Sequence, residues 1–230
     1  ISCSMPASPV DALPRPLAIA LHDAGAANMA IAWCAAAARS PERVWAGGPA
    51  EALWQARFGK ESMVDGAQAL LEGARCLLSG TGWASGLEHR ARVEAARRRV
   101  HSVAIIDHWV NYAARFEREG ERQLHDAIWV GDEHARRIAQ REFLEVPIVH
   151  HPNLYLRGEA ERAGPVTADG DILFVAEPAR STWGGERPGE FQALDYFMAR
   201  RKDAGIPTAT HMRLRPHPSD PPDKFAQWIA

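Results

Sequence analysis

A Rossmann-like α/β fold, a parallel sheet with flanking helices, is expected from three features of this sequence. Between positions 17 and 150, short apolar runs alternate with helix-length amphipathic segments, which is the pattern of repeated βα units. A hydrophobic fraction of 46% over 230 residues suffices for a substantial core. After position 170 the alternation starts again with Ile172-Leu173-Phe174-Val175 and has reached only Leu214-Arg215-Pro216-His217-Pro218 shortly before the sequence ends. This second α/β unit reads as incomplete.

Residues 1–16 form an irregular N-terminal segment with neither the basic n-region nor the apolar h-region of a secretion leader. Strands are expected at 17–21, 43–45, 76–78, 102–106, 127–130 and 148–150, mostly short apolar runs, with a weaker candidate at 62–64. Amphipathic periodicity places helices at 28–38, 50–58, 66–71, 87–98, 112–118 and 132–143. Residues 156–170 are polar and small without apolar periodicity, and read as a linker between an N-terminal domain at 17–155 and a second at 171–230. In the second domain a strand at 172–175 is followed by a Gly/Pro-rich loop, a helix at 190–202, a strand at 208–214 and a final helix near 222–229.

Composition narrows the function. With 27 basic and 29 acidic residues the net charge is -2, which supplies no general attraction for nucleic acid or an anionic membrane. Cys3, Cys34 and Cys76 lie far apart, suggesting neither a disulfide framework nor a cysteine zinc site and fitting a reducing cytoplasm. No apolar run approaches the roughly 18 residues that would span a bilayer. His150-His151 lacks partners at metal-ligand spacing, and no bound cofactor is expected.

In an open parallel sheet, ligands bind beyond the carboxyl ends of the strands, so four loops are candidates. His22-Asp23-Ala24-Gly25 leads into Asn28 after the first strand; Gly25 permits close approach and Asp23 could act as a general base. The bland alternative is that Asp23 or Asn28 caps the following helix. No GxGxxG is present, which counts against a dinucleotide site. Ser79-Gly80-Thr81-Gly82-Trp83 precedes another helix and offers two hydroxyls and a stacking face, but no lysine follows at P-loop spacing; Ser85 is read as a cap. Asp107-His108-Trp109-Val110-Asn111-Tyr112 gathers an acid, imidazole, indole, amide and phenol at the end of the clearest buried strand. Arg213-Leu214-Arg215-Pro216-His217-Pro218-Ser219 fixes an imidazole between two prolines beside Arg215 and Ser219, a set suited to a phosphate. The arginines at 90, 92 and 97–99, with Glu88 and Glu94, read as a solvated helix face, and Asp132-Glu133-His134 as a helix cap.

Taken in order, His22-Asp23-Ala24-Gly25, Ser79-Gly80-Thr81, Asp107-His108-Trp109-Val110-Asn111-Tyr112 and Arg215-Pro216-His217-Pro218 resemble GT-B-fold glycosyltransferase-like proteins of bacterial surface polysaccharide synthesis. The His-Pro pair is similar to the motif of bacterial sialyltransferases and capsule polymerases. That resemblance implies two Rossmann-like domains facing a cleft, with a glycan acceptor held mainly by the first and a nucleotide sugar by the second. It implies inverting, metal-independent sugar transfer in the cytoplasm, with a peripheral position at the inner face of the membrane as a variant. Asp23 or Asp107 would take the acceptor proton, and His217, with Arg215, Pro218 and Ser219, would hold the donor phosphate. His22, Gly25, Asn28, Ser79, Thr81, Trp83, His108, Trp109 and Asn111 would complete the binding surface. Two alternatives stay open: a nucleotide-sugar hydrolase or epimerase of the same fold, and a non-catalytic binding or assembly protein.

Overall fold

The structure, a computed structural model, describes residues 8–83, 85–165, 171–179, 181–207, 209–217 and 220–228. It divides into two units, residues 1–163 and 164–230.

The first unit is built on strands β1 (Leu17–Leu21), β2 (Arg43–Ala46), β3 (Cys76–Ser79) and β4 (His101–Ile106), a small hairpin of β5 (Glu117–Arg118) and β6 (Glu121–Arg122), then β7 (Ala127–Val130) and β8 (Ile148–His150). Six of these form one parallel sheet in the order β2-β1-β3-β4-β7-β8. Its helices are α1 (Ala24–Ala36), α2 (Gly48–Phe58), α3 (Gly66–Leu70), α4 (Leu87–Arg98), α5 (Glu133–Glu142) and α6 (Leu154–Ala163). The Rossmann-like class expected from the alternation is the class observed.

The inner part of the sheet is covered on both faces, which is why strands such as β1 and β7 are continuously apolar. β1 shows how. Leu17, Ile19 and Leu21 point into a core with Trp33 of α1 and Trp54 of α2, while Ala18 and Ala20 point the other way, toward Leu87, Ala91 and Ala95 of α4. Large side chains fill one face and small ones let α4 lie close on the other. A third cluster joins Ile106, Ile128 and Val130 to Ala135, Ala139 and Phe143 around α5.

Three sequence expectations fail in this unit, each for a physical reason. The helix expected at 112–118 does not form; Ala113–Phe116 is a short 3-10 turn and the chain then reverses in the β5–β6 hairpin. Glu119 and Gly120 both have positive φ, the backbone a tight hairpin turn demands. The supposed linker at 156–170 is helical in its first part: α6 ends at Ala163, and its preceding segment accepts the indole N–H of Trp33 at the Pro152 carbonyl, 2.9 Å away. The weak strand at 62–64 is a single bridge between Val44 and Met63.

In the second unit β9 (Ile172–Val175) pairs in parallel with β10 (Met212–Arg215), and α7 (Gly189–Arg200) lies between them in sequence. Ala176, Leu194 and Phe225 form its buried core, with Phe174 and Leu214 packed against it. β10 starts at Met212, after Thr210, whose N–H lies on the Pro207 carbonyl and whose own carbonyl accepts Arg201; Thr208, where the strand was expected to start, lies outside the described residues. The expected last helix is reduced to a 3-10 turn at Ala226–Trp228, following Pro221 and Pro222.

Trp33 is fully buried, packs edge-on against Trp129 at 5.7 Å and donates to Pro152. Trp33→Ala is expected to destabilise the chain by about 3–5 kcal/mol, read as a fall in the urea midpoint.

Candidate functional site

β2 and β3 lie on opposite sides of β1, although both follow it in sequence. The chain therefore changes direction across the sheet at the carboxyl ends of β1 and β3, and loops leaving there diverge to open a crevice. The loops at 22–23 and 80–83 leave the sheet at this point, from the carboxyl ends of β1 and β3.

Glu88 fastens those loops together. It is the second residue of α4, only 1% exposed, and its carboxylate accepts the backbone N–H of His22 at 3.0 Å and of Gly82 at 2.6 Å. Burial pushes its carboxyl up to about 7 and the charge of Asp23 pushes the same way, against the two N–H groups and Arg92. Gly82 leaves room for both carboxylates: a Cβ there would stand 2.1 Å from Asp23 Oδ2 and 3.0 Å from Glu88 Oε2, so a larger residue would displace the Asp23 carboxylate. Across this glycine the two carboxylates face one another.

Asp23 is the residue before α1, yet its side chain makes no capping bond to that helix. It meets the ring of His22 instead, Oδ1 to Nδ1 at 2.7 Å, with both side chains partly exposed. A carboxylate and an imidazole sharing a hydrogen bond at a partly solvated crevice are equipped to take up and pass on a proton. Asn28 lies inside the second turn of α1, so it does not cap that helix either.

The next loop joins the crevice through Asp107. Its Oδ1 is 3.3 Å from the Arg115 guanidinium, and its Oδ2 occupies the space beside Gly25, where a Cβ would approach to 1.8 Å. Arg115 also donates to the carbonyls of Thr81 and Val110 and lies over the Trp83 ring at 5.6 Å. Arg118 donates to the carbonyls of Trp83 and Ser85. Two arginines from the β4–β7 connection thus hold the glycine-rich loop in place. Gly86, not Ser85, is the N-cap residue of α4; the Ser85 hydroxyl, one residue earlier, accepts the Leu87 N–H at 3.0 Å.

Trp109 is 56% exposed but fixed, its indole N–H on Asp132 Oδ2 at 2.9 Å and its ring edge-on to His134. Asp132 caps α5 through the Ala135 N–H. Partial burial works against its ionised form, but these N–H donors prevail and its carboxyl lies below the usual range. His108 is exposed and accepts the Trp109 N–H, and Asn111 sits exposed in the left-handed region at φ 63°.

Other expected binding residues are turned inward. The Ser79 hydroxyl is fully buried against Nε2 of His125 at 2.8 Å, and that of Thr81 donates to the Ile105 carbonyl. Both brace the sheet end. In the second unit, Arg215 is exposed at the end of β10, and the backbone N–H of His217 donates to Asp220, 3.0 Å away. Asp220 also accepts from Lys224, which lowers its carboxyl, and Lys224 reaches the buried Glu190 at 2.8 Å. Pro218 and Ser219 lie outside the described residues.

Glu88 corrects the solvated-face reading of α4, and so does Arg92, 3% exposed and stacked over Phe116. The signal for Glu88 was its position in the first turn after a glycine-rich loop that follows a buried strand. Arg115 and Arg118 were hidden inside a helix that does not form. Among the described residues no three His, Cys, Asp or Glu side chains converge as a metal site, and no helix is long and apolar enough to cross a membrane.

No family model, curated protein or solved structure matches this chain.

Because Glu88 is harder to ionise in the fold than in the unfolded chain, its contribution to stability is complete below its ordinary value of 4.5. That contribution is lost as pH rises through about 7, amounting to about 3 kcal/mol. Urea titrations from pH 4.5 to 7.5 are expected to show a decline in stability that Glu88→Gln flattens.

Proposed function

We propose that this chain takes part in sugar transfer from a nucleotide sugar to a glycan acceptor, with its first unit binding the acceptor and its second binding the donor. The observation that carries this reading is the Asp23–His22 pair at the switch-point crevice, 2.7 Å between oxygen and ring nitrogen, anchored by the buried Glu88. The loop order of the sequence, which resembles GT-B-fold glycosyltransferase-like proteins, supports sugar transfer over other uses of such a pair.

In this mechanism Asp23 is the base. Asp107, the other candidate, is already paired with Arg115 and its Oδ2 fills the space beside Gly25, so it shapes the wall. The acceptor hydroxyl gives its proton to Asp23, with His22 sharing it through the ring hydrogen bond. The acceptor oxygen bonds to the anomeric carbon as the bond from that carbon to the donor phosphate breaks. The electron pair leaves on the nucleotide phosphate. Within the second unit, Arg215 and His217 are the residues that the loop resemblance assigns to binding the donor phosphate. Attack opposite to the leaving group inverts the anomeric centre, and every proton has a protein acceptor.

The test is nucleotide release from a panel of uridine-, guanosine- and cytidine-linked sugars, with and without mono- and oligosaccharide acceptors. Acceptor-dependent release is expected, and Asp23→Asn should slow it by about 10²–10⁴-fold with donor affinity unchanged in calorimetry. Release that needs no acceptor would instead mark a hydrolase. No release with any donor would sink the reading.

In the same assay His217→Ala should weaken donor binding by roughly tenfold, a loss of about 1.4 kcal/mol. Equal donor affinity in that variant would remove His217 from the donor site.

A further inference from the structure

Beside the crevice, at the ends of β4 and β7, lies a cavity of about 280 Å³ that the Asp23–His22 pair does not occupy. Its size is near the lower end of the roughly 300–1,000 Å³ range of small-molecule pockets. Met29 of α1, Leu156 of α6 and Trp109 supply apolar surface, while Asp107, Asp132 and Asn153 supply polar atoms. Neither lysine nor arginine is among the described residues that line it. A phosphate would meet two carboxylates there, and the guanidinium and helix start nearest them are already engaged by those carboxylates, leaving the exposed His108 imidazole as the remaining side chain on the lining that can carry positive charge.

The state of those carboxylates narrows the ligand further. Asp132 already accepts N–H groups on both oxygens, from Ala135 and from Trp109, and Asp107 is paired with Arg115. Their charges are compensated by the start of α5 and by a guanidinium. Each carboxylate oxygen still has lone-pair capacity beyond its present bond. Such oxygens suit hydroxyl donors better than an ammonium ion, whose charge would find its counter-charge already shared.

Trp109 adds the second constraint. An exposed indole ordinarily loses side-chain freedom on binding, but this one is held on one side by Asp132 and on another by His134, so the ordering cost is met before a ligand arrives. A flat, fixed, half-exposed ring over a cavity with spare hydroxyl acceptors matches a molecule with one apolar C–H face and hydroxyls around its edge.

We propose that this cavity is a subsite for an uncharged pyranose ring, which stacks its C–H face on Trp109 and donates hydroxyls to Asp107 and Asp132. As a step in catalysis the subsite rests on the sugar-transfer reading, whose acceptor it would hold. As a binding site it stands on its own geometry.

Saturation-transfer NMR of the whole chain with a panel of methyl pyranosides tests it, with inorganic phosphate as the anionic control. At least one pyranoside is expected to receive saturation at the C–H protons of one face and to bind with a millimolar constant. Trp109→Ala should weaken that binding at least tenfold, Trp109→Phe less, with both variants keeping a cooperative unfolding transition. Absence of signal from every pyranoside overturns the subsite, as does a signal that survives Trp109→Ala, or phosphate displacing the bound pyranoside. Acceptor-dependent nucleotide release without any pyranoside signal overturns the subsite and leaves the sugar-transfer reading standing. Pyranoside binding that depends on Trp109, in a chain that releases no nucleotide, supports the subsite and overturns that reading.

Discussion

The hydrogen bonds from His22 and Gly82 to the buried carboxylate of Glu88 are the constraint around which the rest of the first unit is arranged. Parallel strands that diverge at a switch point leave two loops with no sheet partner to align them, and backbone N–H groups that must find acceptors. One side chain satisfies both loops at once. It does so from the first turn of α4, so the position of that helix sets the width of the crevice and the distance across which Asp23 faces Glu88.

That position depends on small residues. Ala18 and Ala20 of β1 meet Ala91 and Ala95 of α4, and four methyl groups permit a separation that larger side chains would prevent. The opposite face of the same strand carries Leu17, Ile19 and Leu21 beneath two buried tryptophans. Bulk on one side and its absence on the other press the sheet against α4 and bring Glu88 under the loops. Packing in the core and charge at the crevice are therefore one design problem, because enlarging Ala18 or Ala20 would lift the carboxylate away from its donors.

β1 and β7 could be read in the sequence because burial on both faces leaves an unbroken apolar run, and the part-exposed β8 and β9 also begin and end where expected. What was hidden depends on three-dimensional neighbours. Glu88 looked like part of a charged face because composition along a helix does not reveal that its first turn enters a crevice. The 112–118 segment has helical composition, but Tyr112 and Phe116 are drawn into the core beside Phe143 and the chain turns back through Glu119 and Gly120. For 156–163, a surface helix with no buried residue leaves little periodic trace. The site loops were visible as chemistry at strand ends, whereas their partners, Arg115 and Arg118, come from the segment whose local structure was misread.

The connection from β4 to β7 contains a 3-10 turn and a two-residue-strand hairpin instead of an α-helix. It carries Asp107, Trp109, Arg115 and Arg118, and so governs both the floor of the cavity and the posture of the neighbouring glycine-rich loop. Its attachment to the sheet is confined to its two ends and to Tyr112 and Phe116. Such an excursion is a cassette: its rim can be rewritten, residue by residue or by changing the hairpin's length, without re-engineering the strands beneath. Changes of side chain there would reshape the cavity rim while Glu88 and the alanines of β1 and α4 keep the frame beneath it.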